Sequence, residues 1–154
     1  MIFVVASTGK FDALIEACER LRDRYAFVGQ IGTGPFTPSF PHYRTAPLER
    51  IEADARRAEI VVSHGGCGML SLLYRLRKPC VVVPRQPRYG APNDEQVPLA
   101  RKWAELGMAV LCMDLVELEG AIAACRSRAP SFPEFPALGD AIRPLLWDPA
   151  PCRR

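Results

Sequence analysis

Glu59-Ile60-Val61-Val62-Ser63-His64-Gly65-Gly66-Cys67-Gly68 is the stretch that decides how this 154-residue chain folds. A β-branched, apolar run ends at a serine and a histidine, and three glycines then fall within four positions. The run predicts a strand over 59–63 that is apolar throughout because both of its faces are covered. The glycines turn the chain into a helix that runs through Arg77. Strands of this kind, each feeding a helix, build a parallel sheet with helices on both sides.

The pattern repeats in both directions. Upstream, residues 2–6 form an apolar strand that stops at Ser7-Thr8-Gly9. Phe11, Leu14, Ile15, Cys18 and Leu21 follow at helical spacing. A second strand is expected over 25–29, a long loop rich in Gly, Pro and Thr over 31–45, and a charged helix over 48–58. Downstream, a buried strand over 80–83 closes at Pro84, and a polar loop spans 85–93. A helix over 94–106 ends at Gly107, a strand follows over 109–112, and a helix over 115–126 starts behind Asp114 as its N-cap. The fold class is therefore α/β, a doubly wound Rossmann-like parallel sheet over 1–128. From Ala129 the composition turns to Pro, Phe and Leu. This tail, 129–154, is expected to pack on the domain or on a partner, with a short helix over 138–146.

Composition excludes several functions. The net charge is +3 and the basic residues are dispersed, so there is no nucleic-acid footprint. The six cysteines, Cys18, Cys67, Cys80, Cys112, Cys125 and Cys152, are scattered without a C-x-x-C pair, and most lie in apolar runs. They read as free thiols of a reducing cytosol, with no disulfide framework or metal site. The apolar start is too short for a signal peptide or a membrane-spanning helix, and no later run reaches spanning length.

Open parallel sheets bind ligands beyond the carboxyl ends of their strands. Three segments converge there: Ser7-Thr8-Gly9, residues 64–68, and residues 85–96. Gly65, Gly66 and Gly68 let a ligand approach the backbone, and the helix behind them offers free N–H groups, a combination suited to a diphosphate. His64 adds a ring N–H; the alternative is a tight turn with a structural histidine. Cys67 stands on a strand–turn–helix corner, as a nucleophile would. However, Met69 occupies the position where such an elbow needs glycine, and the other histidine, His42, lies far upstream. The third segment is stiffened by Pro84, Pro87 and Pro92 and ends in Asn93-Asp94-Glu95-Gln96. Carboxylates and amides can grip sugar hydroxyls there, and Asn93 or Asp94 can equally cap the helix.

These pieces in this order, Val61 to Gly68, then Arg77-Lys78-Pro79-Cys80-Val81-Val82-Val83-Pro84-Arg85, then Tyr89-Gly90 and Asn93 to Gln96, resemble the C-terminal domain of glycosyltransferase family 28. The opening strand with Ser7-Thr8-Gly9 and Phe11-Asp12 also looks like the start of that domain. The resemblance implies the donor-binding half of a GT-B glycosyltransferase. Gly65, Gly66 and Gly68, with Thr8 and Gly9, would hold the diphosphate of a UDP-sugar, and His64 would touch it. Glu95 and Gln96 would bind the donor sugar, with Ser7, Arg85, Tyr89, Asn93 and Asp94 as further contacts. No cofactor and no obligatory metal are implied, and no catalytic base is assigned.

The chain departs from the family at Leu72, beside Ser71, where relatives that use UDP-N-acetylglucosamine carry a ribose-gripping glutamate. That favours the exopolysaccharide branch, whose small subunits this chain resembles in size. Its partners would then be a membrane-anchored α/β subunit and a polyprenyl-linked acceptor. The chain itself would be cytoplasmic, recruited to the membrane's cytoplasmic face. Two other readings stand beside this one: a nucleotide-binding regulatory module without turnover, and a thiol-dependent hydrolase built on Cys67.

Overall fold

Alternation of burial along the strands decides which helix covers which face. The computed structural model describes residues 1–6, 9–93 and 95–135. Strands β1 (Ile2–Val5), β2 (Phe27–Gln30), β3 (His42–Tyr43), β4 (Ile60–Ser63), β5 (Cys80–Val82) and β6 (Val110–Leu111) pair in parallel. Their order across the sheet is β3-β2-β1-β4-β5-β6. Ile2, Val4, Ile60, Val62 and Val81 turn to one face, where they meet helices α1 (Asp12–Arg20) and α5 (Leu118–Ser127). Phe3, Val5, Val61, Cys80 and Val82 turn to the other. There they meet α2 (Leu48–Arg57), α3 (Cys67–Arg75) and α4 (Gln96–Glu105). With both faces covered, β1 and β4 are buried at every position, which is why they read as unbroken apolar runs.

The architecture is the expected doubly wound parallel sheet, with three local differences. Residues 31–45 contain β3, which pairs with Gly29 and Gln30 of β2. A two-residue strand is too short to carry an alternating pattern, and tertiary contacts hold it in place. Tyr43 Oη donates to Asp54 Oδ2 at 3.0 Å, and Arg50 Nε donates to the same oxygen at 2.8 Å. The last helix is entered through a 3-10 turn, Leu115–Glu117, capped by Asp114, which accepts from the Val116 amide at 3.1 Å. Third, α4 begins at Gln96, and Asp94 lies outside the described residues.

The described part of the tail stays on the chain's own domain. Over residues 129–135 it runs back along the chain's own body. Ser131 N donates to Gly107 O at 3.0 Å, Tyr74 Oη donates to Pro133 O at 2.7 Å, and Phe132 packs beside Tyr74. The helix expected over 138–146 lies outside the described residues. Among the described residues no helix is long and apolar enough to cross a membrane.

Asp54 is a buried carboxylate whose charge is matched by Arg50 and whose oxygen receives the Tyr43 phenol. Burial and then Asp54 push the Tyr43 phenol above its ordinary value, so it stays a donor. Asp54→Ala leaves that hydroxyl without its acceptor and unpins β3. We expect a loss of about 2 kcal/mol in urea unfolding, whereas Glu52→Ala, which removes an exposed helix pair, changes the midpoint by less than about 0.5 kcal/mol.

Candidate functional site

The chain leaves β1 towards α1 on one face and leaves β4 towards α3 on the other. A cleft of about 360 Å³ opens beside this parting, on the α2 and α3 side, within the size range of small-molecule sites. The strand ends contribute Val5 and His64, and the start of α3 contributes Gly66, Cys67, Gly68, Met69 and Leu72. Gln30 at the end of β2, Thr45 and Ala46, and Leu48 and Ile51 of α2 form the opposite wall. No lining residue is acidic, and the walls are mostly apolar.

Each glycine of the turn has a different physical reason. Gly65 has φ +81°, a conformation that side-chain-bearing residues rarely adopt. Gly66 lies against the histidine ring: a Cβ there would stand 2.4 Å from His64 Nε2. At Gly68 a Cβ would meet nothing within 4 Å, so that position opens onto the cleft. No side chain caps α3, and its first described helical bond, Leu70 N to Gly66 O, spans 3.0 Å. The amides of Cys67, Gly68 and Met69 precede that bond, and together with the helix dipole they form the anion-seeking end of α3.

In the structure the His64 ring turns its Nδ1 to the backbone. Nδ1 lies 3.3 Å from Val5 O; a carbonyl can only accept, so Nδ1 carries the proton. Nε2, which faces Gly66, is then the unprotonated nitrogen of a neutral ring. Burial lowers the pKa of His64 to about 4, with Arg85 adding to the effect and the Val5 carbonyl opposing it. An N–H for a phosphate oxygen exists on this ring only once it takes a second proton, which an adjacent anion favours.

The third segment closes the other side of the turn. Gln96 Oε1 accepts from the Arg85 amide at 3.1 Å and lies 3.7 Å from where a Gly65 Cβ would stand. Arg85 Nη2 donates to Ala6 O at 2.9 Å, close beside Gly9. Tyr89 is committed elsewhere: its hydroxyl accepts from Leu115 N at 3.0 Å and bonds Asp114 Oδ1 at 3.3 Å. Asn93 Oδ1 accepts from Glu95 N at 3.4 Å, and the Glu95 side chain is exposed beside α4. Ser7, Thr8 and Asp94 lie outside the described residues. Gly9, His64, Gly65, Gly66, Gly68, Arg85 and Gln96 are thus brought together, whereas Tyr89 serves the fold. Among the described residues no group of three His, Cys, Asp or Glu side chains stands together as metal ligands.

A family model, the glycosyltransferase family 28 C-terminal domain, matches residues 1–136. The chain belongs to this family. The glycosyltransferase domain also shares its fold with solved structures. The glycotransferase of kitacinnamycin superposes with a TM-score of 0.61 at 23% identity, covering 82% of this chain and 35% of that one. CalG4, the calicheamicin glycosyltransferase, superposes with a TM-score of 0.63 at 17% identity, covering 83% of this chain and 34% of that one. The chain therefore spans about a third of the length of these GT-B neighbours. No curated protein matches the chain by sequence.

Sequence reasoning about the family 28 domain missed the second wall of the cleft. Gln30, Thr45, Ala46, Leu48 and Ile51 carry no motif. The signal available was topological, because a strand hydrogen-bonded to β1 must bring its own carboxyl end to the same crevice. Cys67 is exposed at the rim of the cleft, whereas Cys18, Cys80, Cys112 and Cys125 are buried.

Three stability measurements check this geometry. Gly68→Ala should raise stability by about 0.5 kcal/mol, since a helical glycine gains a side chain in open space. Gly66→Ala should lower it, because the His64 ring has to move. The His64 pKa is depressed, so the unfolded chain binds the extra proton between pH 6.5 and about 4. Stability conferred by the neutral ring is therefore complete above pH 6.5 and is lost as the pH falls towards 4, by at most about 3 kcal/mol. Thermal unfolding of His64→Gln should show a correspondingly shallower dependence over that window.

Proposed function

We propose that this domain binds the UDP-sugar donor of a two-component glycosyltransferase that transfers a hexose or hexuronic acid to a polyprenyl-linked acceptor. The observation that carries the reading is the cleft ending on the uncapped start of α3. An apolar chamber for a nucleoside leads to backbone amides and a helix dipole suited to its diphosphate. In this reading the diphosphate lies across Gly66 and Gly68 towards Gly9, and the sugar extends towards Gln96 and Glu95. Gln96 spends its Oε1 on Arg85 and keeps its amide N–H groups for a sugar hydroxyl. Backbone and helix groups meet the charge of the diphosphate without an obligatory metal.

In this reading the chain, which covers about a third of the length of its glycosyltransferase neighbours, supplies the donor side of the site. The acceptor side is assigned to a membrane-anchored α/β subunit that recruits this chain to the cytoplasmic face of the membrane. Positioning an acceptor and a base against the donor is worth roughly 7–11 kcal/mol, which a donor domain alone cannot supply.

Titration calorimetry with UDP tests the site. Gly68→Val, which projects a branched side chain into the cleft, should weaken UDP at least about tenfold without loss of stability. Gly66→Val is the poorer probe, because it displaces His64. Unchanged UDP affinity in Gly68→Val would show that this cleft is not the donor site. Transfer is tested separately: the purified chain should transfer no sugar to a lipid-linked acceptor, and adding the partner should restore turnover. Robust transfer by this chain free of any partner would refute the two-component arrangement. Cys67→Ser should leave transfer by the assembled pair intact, and its loss would favour the thiol reading.

A further inference from the structure

Among the described residues two buried side-chain atoms lack a hydrogen-bond partner, Ser63 Oγ and Arg85 Nε. Both stand at the candidate site, at the end of β4 and just after β5. Arg85 is the more telling. Arg85 has no carboxylate within 4.0 Å among the described residues, and unlike the exposed arginines that share this its Nε is buried. Its side chain makes a single hydrogen bond there, to Ala6 O at 2.9 Å, and leaves most of its N–H donors unused. Arg85 as a whole is only half-buried, but its Nε is buried, and this burial without a counter-charge lowers the Arg85 pKa.

The seat of this cation is built with some care. The guanidinium lies 5.7 Å from the centre of the Phe11 ring. The backbone amide of Arg85 is held by Gln96 at 3.1 Å. The turn after β1 comes so close that a Cβ on Gly9 would stand 3.0 Å from Nη2 and 3.1 Å from Nη1. Its charge also reaches His64, whose ring lines the cleft. Arg85 thus stands at the carboxyl end of β1 beside Gly9, with its backbone held by the Gln96 that backs Gly65, next to the glycine turn on which the donor reading places the diphosphate.

We propose that Arg85 is the cation that receives the distal phosphate of the bound nucleoside diphosphate, an inference that rests on reading the cleft as the donor site. The planar guanidinium keeps its bond to Ala6 O while offering further N–H groups to a phosphate oxygen, which a point charge such as lysine cannot do from this seat. The phosphate supplies the counter-charge that the fold withholds. In transfer it is this phosphate oxygen that gains charge as the bond to the sugar breaks, so Arg85 would stabilise the leaving group.

The test measures uridine, UMP, UDP, UDP-glucose and UDP-glucuronate binding to the wild-type chain, Arg85→Gln and Arg85→Lys, with the unfolding midpoint of each. Arg85→Gln should weaken UDP and both UDP-sugars about 10–100-fold, the range of a charge-assisted bond, and leave uridine and UMP within about threefold. Arg85→Lys should give an intermediate loss. An equal loss for all five ligands would mean that Arg85 only anchors Ala6, and the proposal falls. A loss confined to UDP-glucuronate would place the sugar carboxylate on Arg85 instead, and again the proposal falls. Should Arg85→Gln not fold, Arg85→Lys decides the matter: a lowered ratio of UDP to UMP affinity supports the proposal, and the wild-type ratio overturns it. A wild-type chain that binds none of the five would overturn the donor-site reading itself, which is a different failure.

Discussion

Everything at the candidate site follows from the parting of β1 and β4. The two strands are paired in register to their last residues, Val5 opposite Ser63, and the chain then departs towards α1 on one face and α3 on the other. Backbone groups beyond that point have no strand beside them and must find other partners. Ala6 N still reaches Gln30 O at 2.9 Å, but the carbonyls of Val5 and Ala6 turn to side chains. Val5 O accepts from both the amide and the ring of His64, and Ala6 O accepts from Arg85. The imidazole that lines the cleft and the guanidinium beside Gly9 are thus the groups that finish the central strand. Their positions are set by the sheet, so a ligand would meet them already placed.

That double duty separates what the residues say from what the fold adds. The central strands announce themselves because burial on both faces leaves no polar position in Ile2 to Val5 or Ile60 to Val62. The glycine turn is equally legible, since Gly65 needs a positive φ and Gly66 has no room for a side chain. The use made of His64 was not legible. Its ring N–H is consumed by a carbonyl 59 residues earlier in the chain, a contact that no local pattern encodes. Tyr89 is a similar case, for its bonds to Asp114 and Leu115 cross from one loop to another. The β3 strand and the α2 wall escaped for the same reason: Tyr43 is held by Asp54 across the face of the sheet, and Leu48 and Ile51 acquire meaning only when β2 brings its end alongside β1.

The described tail shows how a composition can suggest a partner and still be answered at home. Phe132 and Tyr74 form an edge-on pair with ring centres 6.3 Å apart, and the Pro133 carbonyl takes the Tyr74 hydroxyl. Phe132 of the tail thus meets an aromatic partner on α3. Phe135, more than half exposed, still contacts Tyr74. This packing lies at the C-terminal end of α3, whereas the cleft lies at its start. The described segment therefore leaves the carboxyl edge of the sheet uncovered.

The cleft itself is unequal along its length, and that inequality bears on how a donor would be held. The chamber lined by Ala46, Leu48, Ile51, Met69 and Leu72 carries no carboxylate. A ribose placed there has Gln30 and Thr45 as its main polar neighbours and no charged acceptor for its hydroxyls. Apolar contact with a base is worth roughly 25 cal/mol per Å² buried and discriminates weakly between bases of similar shape. Among the described residues, charge-assisted bonds are offered at the other end, by the α3 amides and the protonatable His64, with Arg85 beside Gly9. On the donor reading, then, the nucleoside chamber contributes affinity without much choice, and the diphosphate end sets the orientation. The sugar's anomeric carbon is fixed through the phosphate attached to it, which places the reacting atom at the open edge where an acceptor must arrive.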